Sequence, residues 1–221
     1  MASKATLLFL VRHGETEWNT ARRYQGQTDT ELNEKGERQA ELTAKRLAKL
    51  ELHAVYSSDL KRASRCAEEI AEAHGLEVQL CPALRERHFG DLEGLCRAEA
   101  ETKPWWPKHI AGDAYSAPPG GETRGAVRKR VTACLREIIA EHDGENVAIV
   151  SHGGPISHVV VEAFGVSARA RQRGRMRLDN CSITIVEATA ERHRLLLLND
   201  TGHLYPGETF GVLAAMRERP H

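Results

Sequence analysis

Three short polar clusters in the chain carry side chains that can bind an anion and attack it. Arg12 and His13 lie in the first cluster, Arg62 in the second and His152 in the third. A phosphoryl group spreads negative charge over its oxygens, so its site needs fixed cations and N–H donors. Neutral imidazole is a nucleophile. These residue types predict transfer of a phosphoryl group to His13, with the other three side chains binding its oxygens.

The protonation states required for such a transfer indicate which further residues are needed. His13 attacks only when neutral, and the neighbouring Arg12 and Arg62 are expected to lower its pKa. A departing alkoxide needs a proton and an attacking water must lose one, so one carboxyl group could serve both steps. Glu86 is the candidate, although the chain has 31 acidic residues and the residues alone give this choice little weight.

Each polar cluster follows a short apolar stretch that is typical of a buried strand. The predicted strands are residues 5–11, 54–57 and 146–150. Because strand and helix alternate from residue 5 to about 164, we expect an α/β fold with a mainly parallel sheet and helices on both faces. Ligands bind beyond the carboxyl ends of such strands, so the three clusters belong on one edge of the sheet.

Helix signals fill the segments between the strands. Asn33 is expected to cap a helix over about 34–50, and Ser58 or Asp59 a helix that runs to about His74. Residues 93–121 lose periodicity and are predicted to leave the sheet as an excursion over one end. The remaining predicted elements are a strand at 77–80, helices over 122–141 and from Gly154 onwards, and a final hairpin-like pair at 182–187 and 195–198.

Composition narrows the class of protein. The 221 residues suit one domain spanning residues 1–221, and 41% hydrophobic with 28% charged residues is ordinary for a globular protein. The 31 basic and 31 acidic side chains cancel, which gives no reason to expect nucleic acid or a membrane surface as partner. Five scattered cysteines match neither a disulfide framework nor a zinc site. We therefore expect a cytoplasmic protein.

Three further patterns have more than one interpretation. Cys81 and Arg87 have the C-x5-R spacing of thiol phosphatases, but Pro82 removes an N–H that a phosphate cradle needs. Trp105 and Trp106 could shape a substrate pocket or pack the excursion, and neither reading is favoured. An alternating basic run could grip an anion but is more typical of a solvated loop. Its members are Arg169, Arg171, Arg173, Arg175 and Arg177.

The motifs together resemble a known family. Residues 10–16 read LVRHGET and are followed by Trp18 and Asn19, which resembles the signature of the histidine phosphatase superfamily, the phosphoglycerate mutase-like proteins. Later blocks match in the family's order, and the resemblance covers about residues 7–204. These blocks are Gln25-Gly26, residues 57–63, residues 84–86 with Phe89-Gly90 and Glu93-Gly94, residues 119–122, and residues 150–154 with His152 and Gly153.

The resemblance implies roles for particular residues. It implies a phosphohistidine intermediate on His13 and Glu86 as the proton donor. It also implies a three-layer α/β/α sandwich in which residues 93–121 form an inserted helical lid, and it implies neither a metal nor an organic cofactor. The phosphate pocket would consist of Arg12, Arg62 and His152, with Asn19, Gln25, Gly26 and Gly153 as further substrate contacts.

Two reactions share this chemistry. A phosphatase passes the phosphoryl group from His13 to water, whereas a cofactor-dependent phosphoglycerate mutase returns it to a second hydroxyl. Mutases of the family tend to have a longer insertion before the second histidine, and here Glu86 and His152 are only 66 positions apart. We therefore expect a phosphatase acting on a small phosphorylated metabolite. A binding module that has lost catalysis is disfavoured because all five candidate residues are present, and the sequence leaves monomer and homodimer open.

Overall fold

A six-stranded sheet organises the computed structural model, which describes residues 4–107, 116–165, 176–189 and 192–205. The strands are β1 (Thr6–Arg12), β2 (Ala54–Ser57), β3 (Val78–Leu80), β4 (Asn146–Ser151), β5 (Ile183–Ala188) and β6 (His193–Asp200). The helices are α1 (Glu17–Thr20), α2 (Glu34–Leu47), α3 (Lys61–Glu72), α4 (Arg97–Glu101), α5 (Arg124–Glu141) and α6 (Gly153–Ala163).

The strand order places the ends of three strands side by side. The order is β3-β2-β4-β1-β5-β6, in which β3, β2, β4 and β1 pair in parallel while β5 and β6 run antiparallel. Arg12 at the end of β1 pairs with Ser151 at the end of β4, and Ser57 of β2 pairs with Val150. The predicted mainly parallel sheet and the final hairpin-like pair are confirmed.

Side chains of β1 alternate between two hydrophobic cores, one on each face of the sheet. Leu8 and Leu10 belong to the core that α5 and α6 cover. Phe9 and Val11 belong to the core that α2 and α3 cover. A strand buried on both faces is apolar throughout, as residues 7–11 are. The α/β/α layering is thus confirmed.

Asn33 caps α2 as predicted, since its side chain accepts from the backbone N–H of Gly36 at 2.8 Å. The helix ends at Leu47, three residues earlier than expected. The expected cap of α3 is wrong. That helix begins at Lys61, and its cap residue is Leu60, whose own side chain makes no capping hydrogen bond.

The α3 cap differs because the polar side chains before it are engaged elsewhere. Ser58 Oγ lies 2.9 Å from Nε2 of His152, and Asp59 forms an ion pair with Arg85. A distant carboxylate takes over the capping function: the backbone N–H of Lys61 donates to Asp29 Oδ1 at 2.8 Å. The helix also ends at Glu72, slightly before the predicted end at His74.

The 93–121 region is described only in part, because residues 108–115 lie outside the described ranges. It contains α4 and contributes to a small separate core in which Leu92, Ala100 and Trp106 are buried. Trp106 also contacts the ring of Tyr24 edge-on, with centroids 6.4 Å apart. These contacts give Trp106 a packing role, while the lid function of the region stays a prediction.

Among the described helices, none combines the length and apolar character that crossing a bilayer would require.

The loop after β1 rests against the first turn of α2. A methyl group added at Gly14 would lie 2.7 Å from the carbonyl oxygen of Gly36, and one added at Gly36 would lie 2.1 Å from the carbonyl oxygen of Glu15. Both positions therefore need glycine so that the two backbones can approach. This contact supports the loop that carries His13.

Replacing Gly36 by alanine should destabilise the fold, because the new methyl group would overlap backbone atoms that cannot rotate away. We expect the Gly36→Ala free energy of unfolding to fall by about 1–3 kcal/mol, the usual cost of overpacking. Urea denaturation followed by circular dichroism measures this change. Arg38→Ala, on the exposed side of α2, is the control and should change stability by less than about 0.5 kcal/mol. Equal stability of the two variants would contradict the close approach.

Candidate active site

The ends of β1, β2 and β4 bring the three polar clusters together. The N–H of His13 donates to the carbonyl oxygen of Ser151 at 2.9 Å, and the N–H of Ser58 donates to that of Val150 at 3.0 Å. These bonds continue the sheet by one residue beyond its strands. As a result the imidazole rings of His13 and His152 lie 5.0 Å apart, centroid to centroid.

The imidazole of His13 is buried and held in one orientation. Its Nδ1 lies 2.7 Å from the carbonyl oxygen of Gly14. A carbonyl oxygen only accepts hydrogen bonds, so Nδ1 must carry the hydrogen. In the neutral ring Nε2 then holds the lone pair, which makes Nε2 the nucleophilic atom.

Burial and positive charge keep this ring neutral. Burial lowers the pKa of His13 well below 6.5, and the nearby Arg62 and Arg12 lower it further. The pKa of His152 is also well below 6.5, first through burial and then through Arg62. The expected effect of the arginines on His13 is therefore present, although desolvation contributes more.

Neutral backbone oxygens hold the half-buried Arg12 and the fully buried Arg62. Arg12 Nη1 donates to the carbonyl oxygen of Leu178 at 2.6 Å. Arg62 donates to the carbonyl oxygens of Gly26 at 2.6 Å and Thr28 at 2.8 Å. Burial lowers the pKa of Arg62 to about 10, so it stays charged at neutral pH. Within the described ranges neither guanidinium has a carboxylate partner in an ion pair, and their charge remains available to an anion.

Three buried nitrogen atoms at this edge lack a hydrogen-bond partner among the described residues. They are Nε of Arg12, Nε of Arg62 and Nδ1 of His152. A buried polar group left unpaired costs about 1–3 kcal/mol. All three belong to side chains that the sequence assigns to phosphate. The two arginine Nε–H groups are donors for an anion, and Nδ1 of His152 is a third in the tautomer whose Nε2 accepts from the hydroxyl of Ser58.

Glu86 lies beside these three nitrogen atoms, and its carboxyl group contacts the first turn of α6. Its Oε2 accepts from the N–H of Gly154 at 3.0 Å and its Oε1 from the N–H of Arg87 at 2.8 Å. A methyl group at Gly153 would lie 4.0 Å from both Arg12 Nε and Glu86 Oε2, so this glycine separates the cation from the carboxylate. A methyl group at Gly154 would lie 2.1 Å from Oε1, which explains why the chain has glycine there.

Sequence reasoning missed Arg130 of α5, which holds the segment that carries Glu86. Its guanidinium donates to the carbonyl oxygens of Ala83 and Arg85 at 2.7 Å and of Glu86 at 2.8 Å. Glu122 pairs with the same guanidinium at 2.9 Å. In the sequence Arg130 is one of many charged residues in helices. Only its position within the apolar pattern of α5 could have distinguished it.

The remaining predicted contacts have structural partners. Asn19 Oδ1 accepts from the backbone N–H of Thr16 at 3.1 Å in a capping box of α1. Gln25 Oε1 accepts from the hydroxyl of Thr30 at 2.9 Å. Gly26 contributes its carbonyl oxygen to Arg62. Direct contact of Asn19, Gln25 and Gly26 with substrate stays a prediction.

The thiol phosphatase pattern corresponds to no joint site. The Cys81 thiol lies 3.0 Å from that of Cys134, whereas Arg87 donates to the carbonyl oxygens of Glu122 and Ser116. Arg177, the last member of the basic run, forms an ion pair with Asp179. The other members of that run lie outside the described residues.

Comparison with protein families agrees with this geometry. The family described as "Histidine phosphatase superfamily (branch 1)" matches residues 8–201. The chain belongs to this superfamily. The match extends from β1, through every residue of the polar clusters, to the end of β6.

Relatives within the histidine phosphatase superfamily have different names. Probable phosphoglycerate mutase GpmB of Serratia proteamaculans is 40% identical over 182 residues, covering 81% of this chain and 84% of that protein. Metal-independent phosphoserine phosphatase of Arabidopsis thaliana is 38% identical over 215 residues, covering 91% and 84%. A solved mycobacterial glucosyl-3-phosphoglycerate phosphatase superposes with a TM-score of 0.80 at 32% identity, covering 90% of this chain and 100% of that one.

For this member of the histidine phosphatase superfamily, we predict that His13 and His152 stay neutral when the pH falls through 6.5. The folded-state pKa of each lies well below that value, so protonation is delayed until more acidic pH. Nitrogen-15 NMR of the imidazole rings across a pH titration measures this, with the urea-unfolded protein as control, where both rings should titrate near 6.5. Titration of folded His13 near 6.5 would show that burial and the two arginines do not act on it.

Proposed function

We propose that this protein hydrolyses phosphomonoesters of small metabolites through a phosphohistidine on Nε2 of His13. One observation carries the proposal. The lone pair of a buried neutral imidazole lies beside the unpartnered Nε–H donors of Arg12 and Arg62, and beside His152, whose Nδ1 also lacks a partner among the described residues. Donors of this kind stabilise the charge that develops on phosphoryl oxygens in the transition state.

In the first step Nε2 of His13 attacks phosphorus, and the bond from phosphorus to the ester oxygen breaks. Glu86 donates a proton to that oxygen, which leaves as an alcohol. The phosphorylated ring carries a positive charge, and the bond from Nδ1 to the carbonyl oxygen of Gly14 stabilises it. Arg12, Arg62 and His152 hold the other phosphoryl oxygens.

In the second step water attacks the same phosphorus and the bond to Nε2 breaks. Glu86, now a carboxylate, accepts the proton from water. His13 returns to its neutral form with the hydrogen still on Nδ1, and inorganic phosphate departs. The bonds from Gly154 and Arg87 hold the Glu86 carboxylate in place for both proton transfers.

The second candidate is a phosphoglycerate mutase, which the name of the Serratia proteamaculans relative favours. The short connection between Glu86 and His152 supports hydrolysis instead. So do the names of the Arabidopsis thaliana phosphoserine phosphatase and the mycobacterial phosphatase. All three names concern phosphorylated three-carbon acids or their derivatives, and such compounds belong in the first substrate panel.

A phosphate-release screen tests the proposal. Wild type should release phosphate from at least one member of a panel that contains phosphoserine, phosphoglycerates and sugar phosphates, and His13→Ala should release none while its circular dichroism is unchanged. The same preparations are assayed for interconversion of 3- and 2-phosphoglycerate in the presence of the bisphosphate. Interconversion far faster than any phosphate release would establish the mutase, and full turnover by His13→Ala would exclude His13 as nucleophile.

The proposed role of Glu86 predicts dependence on the leaving group. Glu86→Gln cannot donate a proton, so its first turnover with an alkyl phosphate should slow by about 10²- to 10⁴-fold. With a nitrophenyl phosphate the first turnover should change much less, because nitrophenolate leaves without a proton. Rapid-quench measurement of the first turnover separates this step from the attack of water. Asp91→Asn, an exposed acidic residue on the same segment, is the control, and equal losses on both esters would contradict the role of Glu86.

A further inference from the structure

A turn formed by residues 178–182 lies against the end of β1, directly before the nucleophile. The N–H of Cys181 donates to the carbonyl oxygen of Arg12 at 2.8 Å, and the N–H of Arg12 donates to that of Ser182 at 3.3 Å. Cys181 has a positive φ of 54°, which turns the chain into β5. The turn is thus fixed to the backbone that carries His13.

Asn180 in this turn directs its side-chain nitrogen to three oxygen atoms. Nδ2 lies 2.9 Å from the carbonyl oxygen of His13, 3.0 Å from that of Gly14 and 3.2 Å from Oδ1 of Asn19. Carbonyl oxygens accept only, so the nitrogen of the Asn180 amide must face them. The Asn19 atom is an oxygen as well, because the N–H of Thr16 donates to it.

One of these oxygens also fixes the tautomer of the nucleophile. The carbonyl oxygen of Gly14 has two lone pairs, and it receives Nδ1 of His13 at 2.7 Å and Nδ2 of Asn180 at 3.0 Å. The second bond holds the carbonyl in the direction that the imidazole needs. The hydrogen therefore stays on Nδ1, and the lone pair stays on Nε2.

The bond from Asn180 to Oδ1 of Asn19 orients a residue that is predicted to contact the substrate. Oδ1 of Asn19 accepts from the N–H and the hydroxyl of Thr16 and from Asn180. With its oxygen engaged three times, the Asn19 amide can offer only its nitrogen to a ligand. An N–H donor is what a phosphoryl oxygen requires.

We propose that Asn180 is a positioning residue that fixes His13 in the Nδ1–H tautomer and turns the Asn19 amide nitrogen towards the substrate anion. The effect on Asn19 rests on the function proposed above, whereas the effect on the His13 tautomer concerns the protein without a ligand. The proposed action of Asn180 is indirect, through the oxygen atoms of Gly14 and Asn19.

The tautomer is measured directly, without reference to activity. Nitrogen-15 NMR of wild type should show His13 with hydrogen on Nδ1 alone. Asn180→Ala removes the donor, and Asn180→Asp, of nearly equal shape, replaces it with an acceptor. In both variants we expect the His13 signals to shift towards a mixture of tautomers. Unchanged His13 signals in both variants would overturn the proposal, even if their melting temperatures fall.

A variant in β6, at a residue that holds the same turn from outside, provides the control. Asn199 forms two side-chain bonds with Asp179, at 2.6 and 2.9 Å, and its own φ is 54°, which glycine adopts readily. Asn199→Gly loosens the turn without touching His13, Gly14 or Asn19. It should keep the wild-type His13 signals. If it shifts them as Asn180→Ala does, the effect belongs to the turn in general, and the proposal for Asn180 fails.

Kinetics on an active substrate test the consequence. In Asn180→Ala, kcat should fall by about tenfold or more, in the range usual for groups that orient a reacting residue, and KM should rise because Asn19 loses its orientation. Asn199→Gly should change neither value. Wild-type turnover with no change of kcat or KM in Asn180→Ala would overturn the proposal. Absence of turnover in wild type would instead count against the proposed function and leave the NMR result to decide on the tautomer.

Discussion

Two positive charges, on the fully buried Arg62 and the half-buried Arg12, are the constraint on which the rest of the site depends, and no described carboxylate forms an ion pair with either. Arg62 is 0% exposed and bonds to backbone oxygens. Burying an unpaired charge costs several kcal/mol, and the fold offsets part of that cost with carbonyl oxygens whose own charge is only partial. Burial and the remaining field together keep His13 and His152 neutral, and burial contributes more. The uncompensated positive charge favours an anionic ligand.

Local sequence patterns were sufficient for the sheet and for some helix ends. The strand Ala54–Ser57 has the predicted bounds, and Asn33 caps its helix because both partners lie within one turn. The cap of α3 could not be predicted in this way. Ser58 and Asp59 have partners at His152 and Arg85, and the carboxylate that replaces them, Asp29, is far away in sequence. Where such a helix begins depends on competition among hydrogen-bond partners that are distant in sequence. A local sequence pattern contains no information about that competition.

The residues of the candidate site also fall into those that local sequence patterns predict and those that they do not predict. Arg12, His13, Arg62 and His152 could be predicted because each has a distinctive side chain near the end of a predicted strand. Glu86 required the family resemblance, since it follows a short strand among many acidic residues. Residues that act through backbone oxygens, such as Arg130 and Asn180, escaped prediction because their partners have no side-chain signature.

The way in which Arg130 holds residues 83–86 has a consequence for how the protein can evolve. It holds Ala83, Arg85 and Glu86 by their carbonyl oxygens, which every amino acid possesses. These bonds do not involve the side chains of the segment, so a substitution there leaves the bonds to Arg130 in place, and with them the position of the Glu86 carboxyl group. Because this segment is held by its backbone, substitutions that alter specificity need not move Glu86.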